Sequence, residues 1–174
     1  MESQGRRDLK RRSRRHNSLV PLSREHHYAL TLCLRIHKGL PEHRTDRDWI
    51  RIKVGHAIEF FETELVVHFQ AEERFLFPEM RDMAEAREIL DELLAEHRKM
   101  DRLVKQLRDR GGESLVSALT EFADTLEAHI RKEERALFPV YEREASPETI
   151  SRVERAIFEL IGSASRPRHP ELLK

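Results

Sequence analysis

Residues 68–78 read HFQAEERFLFP, and residues 129–139 read HIRKEERALFP. A histidine, two glutamates and a Leu-Phe-Pro ending recur at the same spacing, each position 61 residues after its counterpart. A further match lies upstream of each copy, where Glu25-His26 recurs as Glu96-His97. The chain is therefore predicted to contain two helical hairpins of similar sequence, related by an approximate two-fold axis.

Apolar residues around these motifs recur at alternating steps of three and four, which is the spacing of one face of an amphipathic helix. Four long stripes can be followed, and each contains one histidine: His26, His68, His97 or His129. A shorter fifth stripe carries Val153, Ile157 and Leu160. We expect a helix along each stripe. The boundaries follow from capping and breaking residues: Gly39 with Pro41, Pro78 and Gly111-Gly112 as ends, and Thr45 or Asp46, Asp82 and Ser146-Pro147 as starts.

Short connections between long helices favour antiparallel neighbours, so the sequence predicts an all-α fold. The expected architecture is an up-down-up-down four-helix bundle with an extra C-terminal helix. Six glycines and seven prolines in 174 residues are too few for a fold with many tight turns. The predicted organisation is a basic disordered arm at 1–16, the bundle at 17–145, the added helix at 146–162 and a flexible tail at 163–174.

The charges are balanced overall, with 32 basic and 32 acidic residues, but they are unevenly distributed. Residues 1–16 hold seven basic and two acidic side chains, a net charge of +5, which leaves −5 on the rest. A solvated terminus is the simplest interpretation, and a protein partner bound through this arm or the last helix is the alternative. Neither nucleic acid nor a membrane is expected as a partner. The single cysteine, Cys33, allows no internal disulfide, and a cytoplasmic location is expected.

The histidines interrupt otherwise apolar stripes. In each antiparallel hairpin the two histidines fall at about the same height, so one layer of the core should hold four histidines and two glutamates: His26, His68, His97, His129, Glu72 and Glu133. Burying two facing carboxylates is costly, and a pair of divalent cations would offset that cost. Each cation would take the two histidines of one hairpin and an oxygen from each bridging glutamate. Imidazole and carboxylate suit iron, and also manganese or zinc.

Other interpretations of these residues stay open at this point. A lone histidine on a helix seam is often a packed core residue, so a structural bundle without metal is the alternative. His27 lies beside His26 and is either its replacement as ligand, a partner of a ligand or a packed residue. Glu73 and Glu134 lie about 100° round the helix from their neighbours, so we expect them in solvent or hydrogen-bonded to a ligand. His37 and His56 are expected to be packed, and Cys33 to act as a small hydrophobe.

The repeated His-x-x-x-Glu-Glu-x-x-Leu-Phe-Pro resembles the signature of the hemerythrin-like family, also called the HHE cation-binding domain, over about residues 22–142. The resemblance implies a four-helix bundle with a non-haem di-iron centre bridged by an oxo or hydroxo group. By motif, His26 and His68 would hold one iron and His97 and His129 the other. Glu72 and Glu133 would bridge the two.

The resemblance implies a protein that reacts with or senses dioxygen, peroxide, nitric oxide or a small anion. Iron holding or a metal-dependent interaction module is the alternative, and any peroxidase-, catalase- or nitric oxide-related activity would be weak. Oxygen-carrying hemerythrins have a histidine where this chain has Asp101, and an aspartate five residues after the fourth-helix histidine, where this chain has Glu133 at four. Simple oxygen carriage is therefore not expected. Ferritin-like oxidases use Glu-x-x-His, with a glutamate three residues before the histidine. Leucine occupies that position before both His68 and His129, so a ferritin-like site is not favoured.

Overall fold

Helices account for almost all of residues 15–109 and 113–163, the ranges that the computed structural model describes. These ranges contain no strand, which confirms the prediction of an all-helical chain. A short 3-10 turn, Asn17–Leu19, precedes the first helix. We number the continuous helices as follows: α1 Val20–His43, α2 47–80, α3 Arg87–Asp109, α4 113–144 and α5 Pro147–Ser163.

Two of these helices contain wider π turns. Helix α2 consists of the α segments Arg47–Phe60, Val66–Ala71 and Phe77–Met80, separated by the π segments Phe61–Leu65 and Glu72–Leu76. Helix α4 consists of Glu113–Lys132, the π segment Glu133–Leu137 and Phe138–Glu144. The segments Glu72–Leu76 and Glu133–Leu137 are equivalent in the sequence repeat, so the irregularity is repeated together with the motif.

The expected end of the first helix at Gly39 and Pro41 is wrong, because α1 continues to His43. Pro41 lies in the last turn, where the missing N–H costs the helix only one hydrogen bond near its end. Gly39 has a packing role instead: a Cβ atom there would lie 2.9 Å from Trp49 Cε2 and would overlap the indole ring. Asp46 begins the next helix as predicted, since its side chain accepts hydrogen bonds from the backbone of Asp48 and Trp49.

Two further boundaries differ from the prediction. Pro78 does not stop α2, which continues to Met80. The π turn Glu72–Leu76 ends two residues before Pro78, and the Phe77 N–H bonds to the carbonyl of Glu72, five residues back, so the hydrogen-bond register is already shifted where the proline enters. Asp82 does not open α3: turns occupy the connection, and the helix begins at Arg87. The expected break at Gly111-Gly112 lies outside the described residues.

Where two long helices are in contact, residue numbers increase along one helix as the numbers of their contact partners decrease along the other. Gly39 and His26 of α1 lie beside Trp49 and His68 of α2. The same relation holds for the other neighbours: Arg108 and His97 of α3 with Glu62 and Glu73 of α2, Lys99 and His97 of α3 with Glu121 and His129 of α4, and His37 and Ser23 of α1 with Asp124 and Glu134 of α4.

The apolar core has two parts, and the histidines lie between them. One cluster contains residues from Ala29 to Leu40 of α1 and from Met100 to Leu107 of α3. The other contains Leu22 of α1, the Leu-Phe ends of both motifs, and Val153 and Ile157 of α5. On α1 and α3 the histidine lies between residues of the two clusters. On α2 and α4 the motif runs from the first cluster, at Phe69 and Ile130, into the second, at Leu76 and Leu137. The polar layer therefore crosses a core that is apolar on both sides.

The structure describes little of the predicted terminal segments. Residues 1–14 of the predicted arm and 164–174 of the predicted tail lie outside the described residues. Arg15 is described, and its guanidinium contacts the carboxylates of Glu134 and Glu142. Among the described residues, no helix is both long enough and apolar enough to span a membrane.

Candidate metal centre

The structure brings together the six residues predicted from the repeat. All are buried, with at most 4% of any of them exposed: His26, His68, His97, His129, Glu72 and Glu133. The histidines face one another in pairs, with 3.0 Å between the Nε2 atoms of His26 and His68 and 3.2 Å between those of His97 and His129. Each pair comes from one sequence hairpin, as the matching heights along the helices predict.

Each buried glutamate reaches a histidine of both pairs. One oxygen of Glu72 is 2.8 Å from His68 Nε2, and its other oxygen is 3.4 Å from His97 Nε2. Glu133 Oε2 is 3.4 Å from His129 Nε2 and 3.1 Å from His26 Nε2. Each carboxylate therefore lies between the two histidine pairs, Glu72 through both of its oxygens and Glu133 through Oε2.

In the part of the chain that the structure describes, two of the three π turns start at these glutamates. Glu72 opens the segment Glu72–Leu76, and Glu133 opens Glu133–Leu137. A π turn widens the helix locally and is often found at functional sites. Each of these two π turns carries two consecutive glutamates, the first fully buried and the second, Glu73 or Glu134, nearer the surface.

Charges in the layer depend strongly on one another. Burial lowers the pKa of His97, but the neighbouring carboxylates of Glu72 and Glu73 outweigh it and raise the pKa to about 9. The pKa values of His26 and His68 are also raised, because Glu133, Glu134, Glu72 and Glu25 outweigh their burial. Burial raises the pKa of Glu72, but His68 and His97 outweigh it and hold the pKa well below its usual value. The raised pKa values mean that, in the absence of a metal, protons on His26, His68 and His97 offset negative charge in the layer.

These residues fit a divalent cation. The four carboxylate oxygens of Glu72 and Glu133 are buried and have no hydrogen-bond donor in good geometry among the described residues. Leaving such acceptors unpaired in a core costs several kcal/mol. The possible ligand atoms form two groups, and within each group all of the atoms lie within 4.8 Å of one another. The groups are His26, His68, Glu72 and Glu133, and Glu72, His97 and His129. Nitrogen and oxygen donors of this kind suit iron, manganese and zinc.

Aromatic rings cover the histidines on the side of the core. Phe138 stacks on His26 and Phe77 on His97, with ring centroids 5.6 and 5.8 Å apart. These two phenylalanines are equivalent in the Leu-Phe-Pro repeat. Phe69 stacks more closely on His97, at 3.7 Å, whereas Ile130 occupies the equivalent position in the second motif. The coverage of the layer is therefore not symmetric.

Several other candidates lie away from the layer. His27 is exposed and makes an edge contact with Tyr28. It is therefore neither a ligand in place of His26 nor a packed core residue. His37 is partly exposed and contacts Asp124 and Glu127. Asp101 is half-exposed and pairs with Lys105. Cys33 is buried as an apolar residue, and burial raises the pKa of its thiol to about 12.

Sequence reasoning missed two residues that contact the layer. Glu25 accepts a hydrogen bond from His68 Nδ1 and Glu96 from His129 Nδ1, at 2.7 and 3.0 Å. The repeated Glu-His dipeptide was the available signal, because Glu25 and Glu96 recur together with His26 and His97. Their partners could not be read from it, because each glutamate bonds to a histidine on another helix.

Comparison with known proteins agrees with this geometry. The family described as hemerythrin HHE cation binding domain matches residues 18–141, which include all six residues of the layer. Neither the curated proteins nor the solved structures contain a match to the chain. With more than two thirds of its length matched, and with a buried layer of side chains of the types that ligate cations, the chain belongs to the hemerythrin HHE cation binding domain family.

Proposed function

We propose that this chain is a non-haem di-iron protein whose centre reacts with or senses dioxygen, peroxide or nitric oxide. The observation that carries the proposal is the buried layer in which two histidine pairs face two glutamates. His26 and His68 would hold one iron, and His97 and His129 the other. Glu72 and Glu133 would bridge them, because each lies close to a histidine of both pairs.

The fold proposed for this function is an up-down-up-down four-helix bundle formed by α1 to α4, with α5 as an added helix. The residues around the layer exclude water, since the histidines and buried glutamates have almost no exposed surface. Bound iron supplies one-electron redox chemistry and coordination positions open to a small ligand. Manganese and zinc have compatible ligand preferences, so the identity of the metal is part of what must be tested.

The test is elemental analysis of the full chain purified with and without air, together with an optical spectrum of each sample. We expect about two irons per chain, and near-ultraviolet absorption that changes on adding a reductant or azide. A protein that carries full iron but responds to none of the small ligands would contradict the proposed reactivity. The double variant His68→Ala, His129→Ala should lose the metal. His56→Ala is the matched control and should keep it.

A second candidate function is a metal-dependent interaction module. The observation in its favour is the link between the bundle and the residues before it: Arg15 Nη2 is 2.5 Å from Glu134 Oε2, while Glu134 Oε1 is 2.8 Å from His26 Nδ1. A protein partner that contacts the basic arm would then be connected to His26, a predicted ligand, through the ion pair between Arg15 and Glu134. Deleting residues 1–14 should abolish capture of such a partner and leave the metal content unchanged. A deletion that removes the metal would contradict the separation of the two roles.

A further inference from the structure

Each histidine of the layer has a glutamate on its outer side. The Nε2 atoms of the four histidines face the layer, and the Nδ1 atoms face outward. Each Nδ1–H donates a hydrogen bond to a carboxylate: His26 to Glu134 at 2.8 Å, His68 to Glu25 at 2.7 Å, His97 to Glu73 at 2.6 Å and His129 to Glu96 at 3.0 Å. We refer to Glu25, Glu73, Glu96 and Glu134 as the outer glutamates.

The outer glutamates connect the four long helices in a closed ring. Glu25 of α1 accepts from α2, and Glu73 of α2 accepts from α3. Glu96 of α3 accepts from α4, and Glu134 of α4 accepts from α1. Each helix therefore supplies one carboxylate to the histidine of the next helix. The ring follows the sequence repeat, in which Glu25 corresponds to Glu96 and Glu73 to Glu134.

A neutral imidazole has one N–H donor and one nitrogen acceptor, and the hydrogen bond made by one nitrogen decides which is which. A carboxylate at Nδ1 takes the donor and leaves the lone pair on Nε2. Because all four Nε2 atoms face the layer, this choice is the one that leaves all four histidines able to bind a metal there.

We propose that the outer glutamates are positioning residues for the metal centre. They hold the proton of each histidine on Nδ1 and fix the orientation of the ring, so that the four Nε2 atoms are presented as ligands. This inference rests on the proposed function, because it assigns a role to residues that surround the proposed metal ligands.

The four outer glutamates differ in burial and in their other partners. The exposed fraction of the side chain is 12% for Glu25, 21% for Glu96, 28% for Glu134 and 45% for Glu73. Lys132 also contacts Glu96, while Ser23 and Arg15 contact Glu134. Solvent weakens a hydrogen bond to an exposed carboxylate more than one to a buried carboxylate. Loss of Glu25 should therefore have the largest effect on the metal, and loss of Glu73 the smallest.

The test is titration of the metal-stripped full chain with Co²⁺, whose visible absorption reports both affinity and ligand geometry. Replacing an outer glutamate with alanine should weaken binding about 10- to 100-fold and alter the Co²⁺ spectrum. Replacing it with glutamine should restore most of the affinity, because the amide oxygen can still accept from Nδ1–H. The matched control is Glu127→Ala, which removes a carboxylate of similar exposure from His37, a histidine outside the layer.

The outcomes separate this inference from the proposed function. Wild-type protein that binds no Co²⁺ would overturn both. Wild-type binding together with unchanged affinity and spectra in Glu25→Ala and Glu96→Ala would overturn the positioning role alone. Equal losses in Glu127→Ala would also overturn it, because the effect would then not be specific to the ring.

A measurement on the wild-type protein covers the case in which an alanine variant does not fold. Nitrogen-15 NMR of the Zn²⁺-loaded chain distinguishes Nδ1 from Nε2 and shows which of them carries a proton. We expect four histidines with the proton on Nδ1 and the metal on Nε2. A layer histidine that binds Zn²⁺ through Nδ1 would overturn the inference.

Discussion

Phe69 stacks on His97, with ring centroids 3.7 Å apart and planes inclined by 15°. The same phenylalanine presents its edge to His129 and to Phe61, so one side chain contacts both histidines of one pair. Its equivalent in the second motif is Ile130. Phe69 is thus an asymmetric element in an otherwise repeated site, and it joins the polar layer to the apolar cluster beside it.

Replacing Phe69 with alanine should destabilise the protein by about 3 to 5 kcal/mol, since a buried ring is lost and a cavity is left beside two histidines. Chemical denaturation of the metal-stripped chain measures this change. Phe158→Ala is the matched control, because Phe158 is 70% exposed and its loss should change the free energy of unfolding by no more than about 0.5 kcal/mol. Similar values for the two variants would show that Phe69 does not support the layer.

Gly39 and Gly55 lie in helices and should respond to alanine in opposite directions. Alanine is favoured over glycine inside a helix by about 1 kcal/mol. At Gly55 nothing lies within 4 Å of the added Cβ, so Gly55→Ala should stabilise the protein by up to that amount. At Gly39 the Cβ would overlap the Trp49 ring, so Gly39→Ala should destabilise it by about 1 to 3 kcal/mol. Thermal melting of both variants checks the signs, and a stabilising Gly39→Ala would contradict the packing role.

These cases show what can be predicted from the sequence. The layer could be predicted because the repeat places His26, His68, His97 and His129 at matching heights in a regular seam. The helix ends expected at Gly39 and Pro78 could not be checked against tertiary structure, where Gly39 packs against the indole of Trp49 inside α1 and a π turn precedes Pro78 inside α2. Those are contacts and backbone shifts that do not follow from local composition. Glu25 and Glu96 were missed for a related reason, since their hydrogen bonds cross between helices.

The metal-free protein should lose stability as the pH rises from about 6.5 to about 9. The pKa of His97 is raised from 6.5 to about 9, and those of His26 and His68 are raised as well. A raised pKa means that the folded state holds the proton more tightly than the unfolded state. The stabilisation is therefore complete below pH 6.5 and is lost as the pH passes through the folded-state value, by about 3 kcal/mol for His97 alone.

Urea unfolding of the metal-stripped chain at pH 6, 7.5 and 9 measures this dependence. His97→Gln should reduce the slope, because it removes one of the groups with a raised pKa. His27→Gln is the control: His27 is exposed, and its replacement should leave the slope unchanged. A free energy of unfolding that stays level or increases over this interval would show that the layer does not hold protons in the absence of metal.

The reactivity of Cys33 measures how strongly a bound cation stabilises the folded bundle against opening. The cysteine is 1% exposed, and burial raises the pKa of its thiol to about 12, so alkylation should require opening of the structure. A cation that binds the folded layer stabilises it by about 2.7 kcal/mol when its free concentration is 100 times the dissociation constant. Labelling of Cys33 should then slow by about 100-fold on adding Zn²⁺. The His68→Ala, His129→Ala variant controls for direct binding of metal to the thiol, since Zn²⁺ should leave its labelling rate unchanged. Equal rates with and without metal in the wild-type chain would show that cation binding is not coupled to the opening that exposes Cys33.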